Sequence, residues 1–111
     1  MTVKTINIAE DFSPYPAGRD DRDGEGNHGQ RFRDDFLIPS LNDRTIDILR
    51  VILDGTETLG GSFLEEAFGG LVRAGFPRKE LKARLEIVAI DAAYETFRKL
   101  TWKYIERARG E

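Results

Sequence analysis

The chain has 111 residues, 40% of them hydrophobic, a net charge of −3 and no cysteine. That is one domain's worth of sequence with a modest core. The slight acidity argues against nucleic acid or an anionic membrane as the main partner, and the cysteine count excludes a disulfide framework, a thiol nucleophile or a thiolate metal site. The opening residues Met1 to Ile8 lack the apolar stretch of a signal peptide, and no apolar run approaches membrane-spanning length, so a soluble cytoplasmic protein is the expectation.

In chain order, Val3, Ile6 and Ile8 sit among β-favouring residues, which predicts a strand over 3–9. Residues 13–29 then change character. Pro14, Pro16, Gly18 and the charged, glycine-rich run from Asp20 to Gly29 cannot pack a core, so they predict a long loop, or a short hairpin turning at Gly18 or Gly24. Phe32, Phe36 and Leu37 at helical spacing predict a helix over 30–37, ended or kinked near Ile38 by Pro39. Thr45 to Leu53 is nearly continuous β-branched and apolar sequence, the pattern of a strand buried on both faces of a parallel or mixed sheet.

After Asp54-Gly55 and Gly60-Gly61 an amphipathic helix begins at Ser62. Ser62-Phe63-Leu64-Glu65 fits the S-x-x-E capping box, in which the serine caps the helix and Glu65 reaches back to it. Phe63, Leu64, Ala67, Phe68, Leu71 and Val72 make one apolar face, and Glu65, Glu66, Gly69, Gly70 and Arg73 lie on the other. Gly75 reads as a helix stop and Pro77 as the first residue of a short helix ending at Arg84. Leu85 to Ile90 predict a third strand. Asp91 caps a last helix in which Tyr94, Phe97, Thr101, Ile105 and Ala108 share a face, with Trp102 at its edge as a candidate partner contact. Alternating strands and helices predict an α/β fold: a single small domain over 1–111, with a mixed β-sheet backed by helices.

Two motif matches in the loop fail on chemistry. Gly24-x-Gly26-x-x-Gly29 satisfies the dinucleotide glycine pattern, but the strand ends far upstream and Asp20, Asp21, Asp23 and Glu25 would repel phosphate. Asp21, Asp23 and Glu25 imitate a calcium loop, yet the position that needs a bidentate glutamate falls on Phe32. No cofactor or metal is expected. His28, the only histidine, is bracketed by no serine or carboxylate motif and is expected to be solvent-exposed. No catalytic constellation emerges, so the expectation is a protein that is not an enzyme. Arg19, Arg31 and Arg33 are candidates for binding an anion, Arg19 and Arg31 also for a small ligand, with pairing of Arg31 and Arg33 to Asp34, Asp35 or the upstream acids as the plainer reading.

Ser62 has two readings. One is an N-cap worth about 1 kcal/mol. The other is a phosphorylation site, where the phosphoryl group would meet the positive end of a helix, opposed by Glu65 and Glu66. Gly69 and Gly70 cost about 1 kcal/mol each relative to alanine. Close approach of a neighbouring segment or of a partner must offset that cost. The candidate partner-binding set is therefore Ser62, Gly61, Phe63, Glu66, Gly69, Gly70 and Arg73.

Asp11-Phe12-Ser13, Pro16-Ala17-Gly18-Arg19, Gly29-Gln30-Arg31-Phe32-Arg33 with Phe36-Leu37, Leu53-Asp54-Gly55, and the string from Ser62 to Arg73 together resemble the prokaryotic STAS-like domain family, in general of unknown function. The resemblance implies a small mixed sheet backed by helices. It also implies kinship in fold with the anti-sigma-factor antagonists. In those, a serine or threonine at the start of the helix after a central strand is phosphorylated by an ATPase-like kinase partner, and phosphorylation breaks the complex. The position carried over is Ser62. The antagonists have an acidic residue and small polar residues before the helix and a glycine after the phosphosite, whereas this chain has Gly60-Gly61 before Ser62 and Phe63 after it. The leading expectation is a non-enzymatic regulatory module that binds another protein, implied to be an ATPase or kinase-like subunit. The alternatives are a small-ligand or nucleotide sensor using the glycine-rich loop with Arg19 and Arg31, and a metal-dependent hydrolase built from the loop acids and His28.

Overall fold

The structure is a computed structural model and describes residues 1–23 and 26–109. Gly24, the first glycine of the G-x-G-x-x-G match and one of the two turn positions considered, lies outside the described residues. Three apolar segments form strands: β1 (Val3–Asn7), β2 (Ile48–Ile52) and β3 (Leu85–Val88). They pair in the order β1-β2-β3, with Ile6 beside Val51 and Val51 beside Ile87, and both pairings are parallel. The expected α/β class is what forms, but the sheet is parallel throughout rather than mixed. Each strand reaches the next through a helical crossover, and none through a hairpin that would reverse its direction.

Strand alternation sorts the side chains. Ile6, Leu49, Val51, Leu85 and Ile87 enter the core, while Thr5, Arg50 and Glu86 stand in register on the opposite face. The expectation that β2 is buried on both faces fails: Ile48, Arg50 and Ile52 are only half-buried, because the core gathers on one side of the sheet. β1 is also shorter than expected, its apolar run continuing into a π-helical turn, Ile8–Phe12.

Helix α1 runs over 29–42, through Gly29–Phe32, a wide π-helical turn Arg33–Leu37, and Ile38–Asn42. It does not end at Pro39. The Ile38 N–H donates to the Arg33 carbonyl, five residues back, so the ladder has already shifted where proline lacks its donor. Helix α2 runs over 61–73 with the same device at its middle: Glu65–Gly69 forms a π-helical turn closed by the Gly70 N–H on the Glu65 carbonyl. It stops as expected at Gly75, φ +106°, with the Phe76 N–H bonded to the Leu71 carbonyl at 3.0 Å. Helix α3 (Arg78–Arg84) follows, with Pro77 in the capping position. Asp91 caps a 3₁₀ turn, Ala92–Tyr94, that feeds helix α4 (Glu95–Arg107).

Helix α2 is the middle of the helical layer, with α1 along one side and α4 along the other. Phe63, Leu64, Ala67, Phe68 and Leu71 are fully buried on it. Phe12, Phe32, Phe36, Phe63 and Phe68 form a ring cluster, with centroids from 5.1 Å (Phe12–Phe32) to 6.2 Å (Phe32–Phe68) apart. On α4, Thr101 and Ile105 are buried and Trp102 packs half-buried against the core.

Gly29 is where α1 meets α2. A Cβ there would lie 2.6 Å from the Phe63 carbonyl oxygen and 3.0 Å from the Ala67 nitrogen, and backbone atoms cannot swing aside. Gly29→Ala is expected to lower the unfolding free energy by about 1–3 kcal/mol, read from the midpoint of a urea titration.

Candidate functional site

Helix α2 begins two residues earlier than the capping box predicts. Gly60 takes the capping position in extended conformation (φ −78°, ψ 150°), and its carbonyl accepts the Leu64 N–H at 3.1 Å. Ser62 therefore lies inside the first turn, exposed to solvent, with no capping bond from its side chain. The first N–H groups of a helix have no partner within it, so this hydroxyl stands among free donors at the positive end of α2. Gly61 brings Tyr104 of α4 close to the tip: a Cβ on it would lie 2.8 Å from the Tyr104 hydroxyl.

Glu65 does not reach back to Ser62, because stronger partners take it. Arg73 of the same helix donates to both of its carboxylate oxygens, at 2.8 and 3.0 Å, and Arg19 from the loop contacts it at 2.6 Å. Glu66 accepts from Arg33 of α1 at 2.6 Å, with Arg19 at 3.5 Å and Arg73 at 3.8 Å. Arg33 also donates to the Glu66 carbonyl at 3.1 Å and to Asp34 at 2.9 Å, and its side chain is only 13% exposed. Three arginines from three segments thus converge on two adjacent glutamates. The hydrogen bonds from Arg73, and then from Arg19, hold the Glu65 carboxyl below its ordinary value against the opposing effect of burial. For Arg33, burial is the largest influence and pulls downward, but the bonds to Asp34 and Glu66 together raise it.

The glycine pair leaves room for this network. A Cβ on Gly69 would collide with the Glu65 carboxylate, and one on Gly70 would lie 2.5 Å from Arg33 Nη1. Gly69 also faces the Tyr104 carbonyl of α4. The close approach is therefore intramolecular. Phe63, Gly69 and Gly70, proposed from sequence as partner contacts, are buried and offer no surface. Glu66 and Arg73 are half-buried in the network, and only Ser62 of the candidate set is fully at the surface.

The loop before α1 is tied down by its backbone. Ala17 N–H bonds the Asn27 carbonyl at 3.0 Å, Gly29 N–H the Gly18 carbonyl at 3.0 Å, and Gln30 N–H the Arg19 carbonyl at 2.9 Å. These bonds deliver Arg19 to Glu65. Contrary to expectation His28 is buried, 4% exposed. Its Nδ1 accepts the Arg31 N–H at 3.2 Å, making it the N-cap of α1, and its Nε2 lies 2.7 Å from Asp21 Oδ1. A neutral ring protonated at Nε2 satisfies both contacts. Arg31 donates to the Gly26 carbonyl at 2.8 Å, lies 3.5 Å from Asp35, and sits 5.8 Å over the Phe12 ring. Arg19 and Arg31 are thus paired with different acids. Arg33, an anion candidate from sequence with pairing to Asp34 or Asp35 as the plainer reading, pairs with Asp34 and also with Glu66, and Glu65, expected only as a capping residue, is a centre of the network. The signal was there in an acidic pair one turn before a glycine pair, a spacing that leaves room for carboxylates along the helix. Among the described residues no group of three or more His, Cys, Asp or Glu could hold a metal, and no helix is long and apolar enough to cross a membrane.

A family model described as "STAS-like domain of unknown function (DUF4325)" matches residues 28–95. That span runs from the His28 cap to the first residue of α4 and holds the whole network except Arg19. No curated protein and no solved structure matches the chain.

The depressed pKa of Glu65 has a definite sign. The folded state holds this carboxylate deprotonated more firmly than the unfolded chain does. Its stabilising contribution is therefore complete above the ordinary value of 4.5 and is lost as pH falls through the lower folded value. Glu65→Gln is expected to lower Tm at neutral pH and to flatten the fall in Tm between about pH 5 and pH 3, measured by scanning calorimetry. An acid limb as steep as that of the unsubstituted protein would show that this pairing does not contribute.

Proposed function

The chain belongs to the STAS-like family of domains of unknown function, and on that premise we propose that it is a non-enzymatic regulatory module that binds another protein at the Ser62 end of α2. The partner in this reading is an ATPase or kinase-like subunit in the cytoplasm, and phosphorylation of Ser62 controls the complex. The observation that supports it is the exposed hydroxyl in the first turn of a helix whose remaining length is anchored on all sides. A phosphoryl group there would accept from the free N–H groups of the helix start.

Glu65 and Glu66, one turn along, look like an electrostatic objection to a phosphate. Arg19, Arg33 and Arg73 answer it, since three guanidinium groups compensate the two carboxylates. Arg19 is the most accessible of them, its side chain 43% exposed, and is the cation that a phosphoryl group on Ser62 would draw away from Glu65. The modification would then both block the docking tip and loosen the loop that Arg19 anchors.

The test is to incubate the protein with ATP and the ATPase or kinase-like protein encoded beside it, reading complex formation by titration calorimetry and phosphate transfer by intact mass. Ser62→Ala is expected to leave Tm within about 1–2 °C and to abolish transfer. Ser62→Asp is expected to weaken the complex by about tenfold or more. Absence of both complex and transfer, or transfer that persists in Ser62→Ala, would overturn the proposal.

A further inference from the structure

The uncovered face of the sheet is the least explained surface of the molecule. Parallel sheets occur almost only with both faces covered, yet here the side chains of Ile48, Ile52 and Val88 on the outer face join no part of the core. Val3, 41% exposed, continues this row onto β1, and Ile90, 74% exposed, follows Val88 two residues beyond β3. At the centre of the aliphatic patch lies one charged pair. Arg50 on β2 and Glu86 on β3 are in register, with Arg50 Nε 2.6 Å from Glu86 Oε1 and side chains 40% and 49% exposed.

That arrangement is complementary to itself. A two-fold axis laid along the strands, above the line between β2 and β3, carries Arg50 of one copy over Glu86 of the other, and the reverse. The same rotation carries Ile52 over Val88, its register neighbour. Face-to-face packing at the usual sheet spacing of about 10 Å would then turn two separate ion pairs into one closed ring of alternating charge. Each pair enters already hydrogen-bonded, which limits the cost of removing it from water. An unrelated partner would need to supply the same alternation, whereas a second copy has it by symmetry, and two-fold dimers are the commonest assemblies.

We propose that this sheet face is a homodimer interface, closed by a second copy of the chain about that two-fold axis. The helices lie on the other face, so the dimer leaves both Ser62 tips open. It is independent of the partner reading, and either can fail without the other.

Sedimentation of the unsubstituted protein from about 1 μM to about 1 mM, a range that brackets weak complexes, is expected to show the mass rising from 12.6 kDa towards twice that value. Arg50→Glu alone and Glu86→Arg alone each set like charges across the axis. Each is expected to lower the association constant by at least about tenfold, with circular dichroism confirming the fold. An equimolar mixture of the two variants faces all-acidic copies with all-basic ones and is expected to recover dimer. A protein that stays at monomer mass throughout would overturn the proposal, without needing any variant to fold. So would folded single variants that dimerise as well as the unsubstituted chain, or a mixture of them that fails to recover.

Discussion

Two adjacent glutamates and three arginines tie the helical layer together beside its apolar core. Glu65 and Glu66 sit on the wide turn of α2, where Gly69 and Gly70 leave space for a carboxylate and a guanidinium against the helix. Exposed ion pairs contribute little. This one differs because Arg33 is nearly buried, donates to a carbonyl as well as to two carboxylates, and bridges α1 to α2. Removing either partner would strand a charge in a poorly solvated place, which is the costly case. The network also fixes the loop before α1, since Arg19 is that loop's side-chain contact with α2.

Because the body of α2 is held this way, the helix divides into two parts. From Phe63 onward the helix is committed to packing, with apolar side chains to the core and charged ones to the network. Gly60, Gly61 and Ser62 are left at the tip, where the Gly60 carbonyl starts the helix and the serine is not needed as a cap. The hydroxyl is thus left exposed at the positive end of a firmly held helix, and Glu65, one turn along, is the residue that Arg19 contacts. Three guanidinium groups offset the two carboxylates there.

The sheet imposes a second constraint, on the opposite side of the molecule. All-parallel pairing sends each connection through helices, and these gather over the face that carries Leu49, Val51, Leu85 and Ile87. The other face keeps an aliphatic patch around Arg50 and Glu86. A module of this kind has two surfaces with different chemistry, a polar helix tip and a mostly aliphatic sheet face.

Local rules in the sequence determined a good deal. The α/β class, the third helix over Arg78–Arg84, the glycine stop at Gly75 and the Asp91 cap were legible because each rests on residues within a turn of one another. The apolar face of α2 was legible from its period. Tertiary structure decided the rest, wherever a residue's partner lies far along the chain. Glu65 forms no capping box because Arg19 and Arg73 compete for it, and α1 passes through Pro39 because a π-helical turn precedes it. His28 is buried because Asp21 and the Arg31 N–H between them satisfy both ring nitrogens. Spacing announced that something must approach Gly69 and Gly70, but only the packing of α1 and α4 on α2 brought Arg33 to Gly70 and the Tyr104 carbonyl to Gly69. Hydrogen bonds and ion pairs between distant segments depend on where the backbone brings their ends, and a linear sequence carries no distance between them.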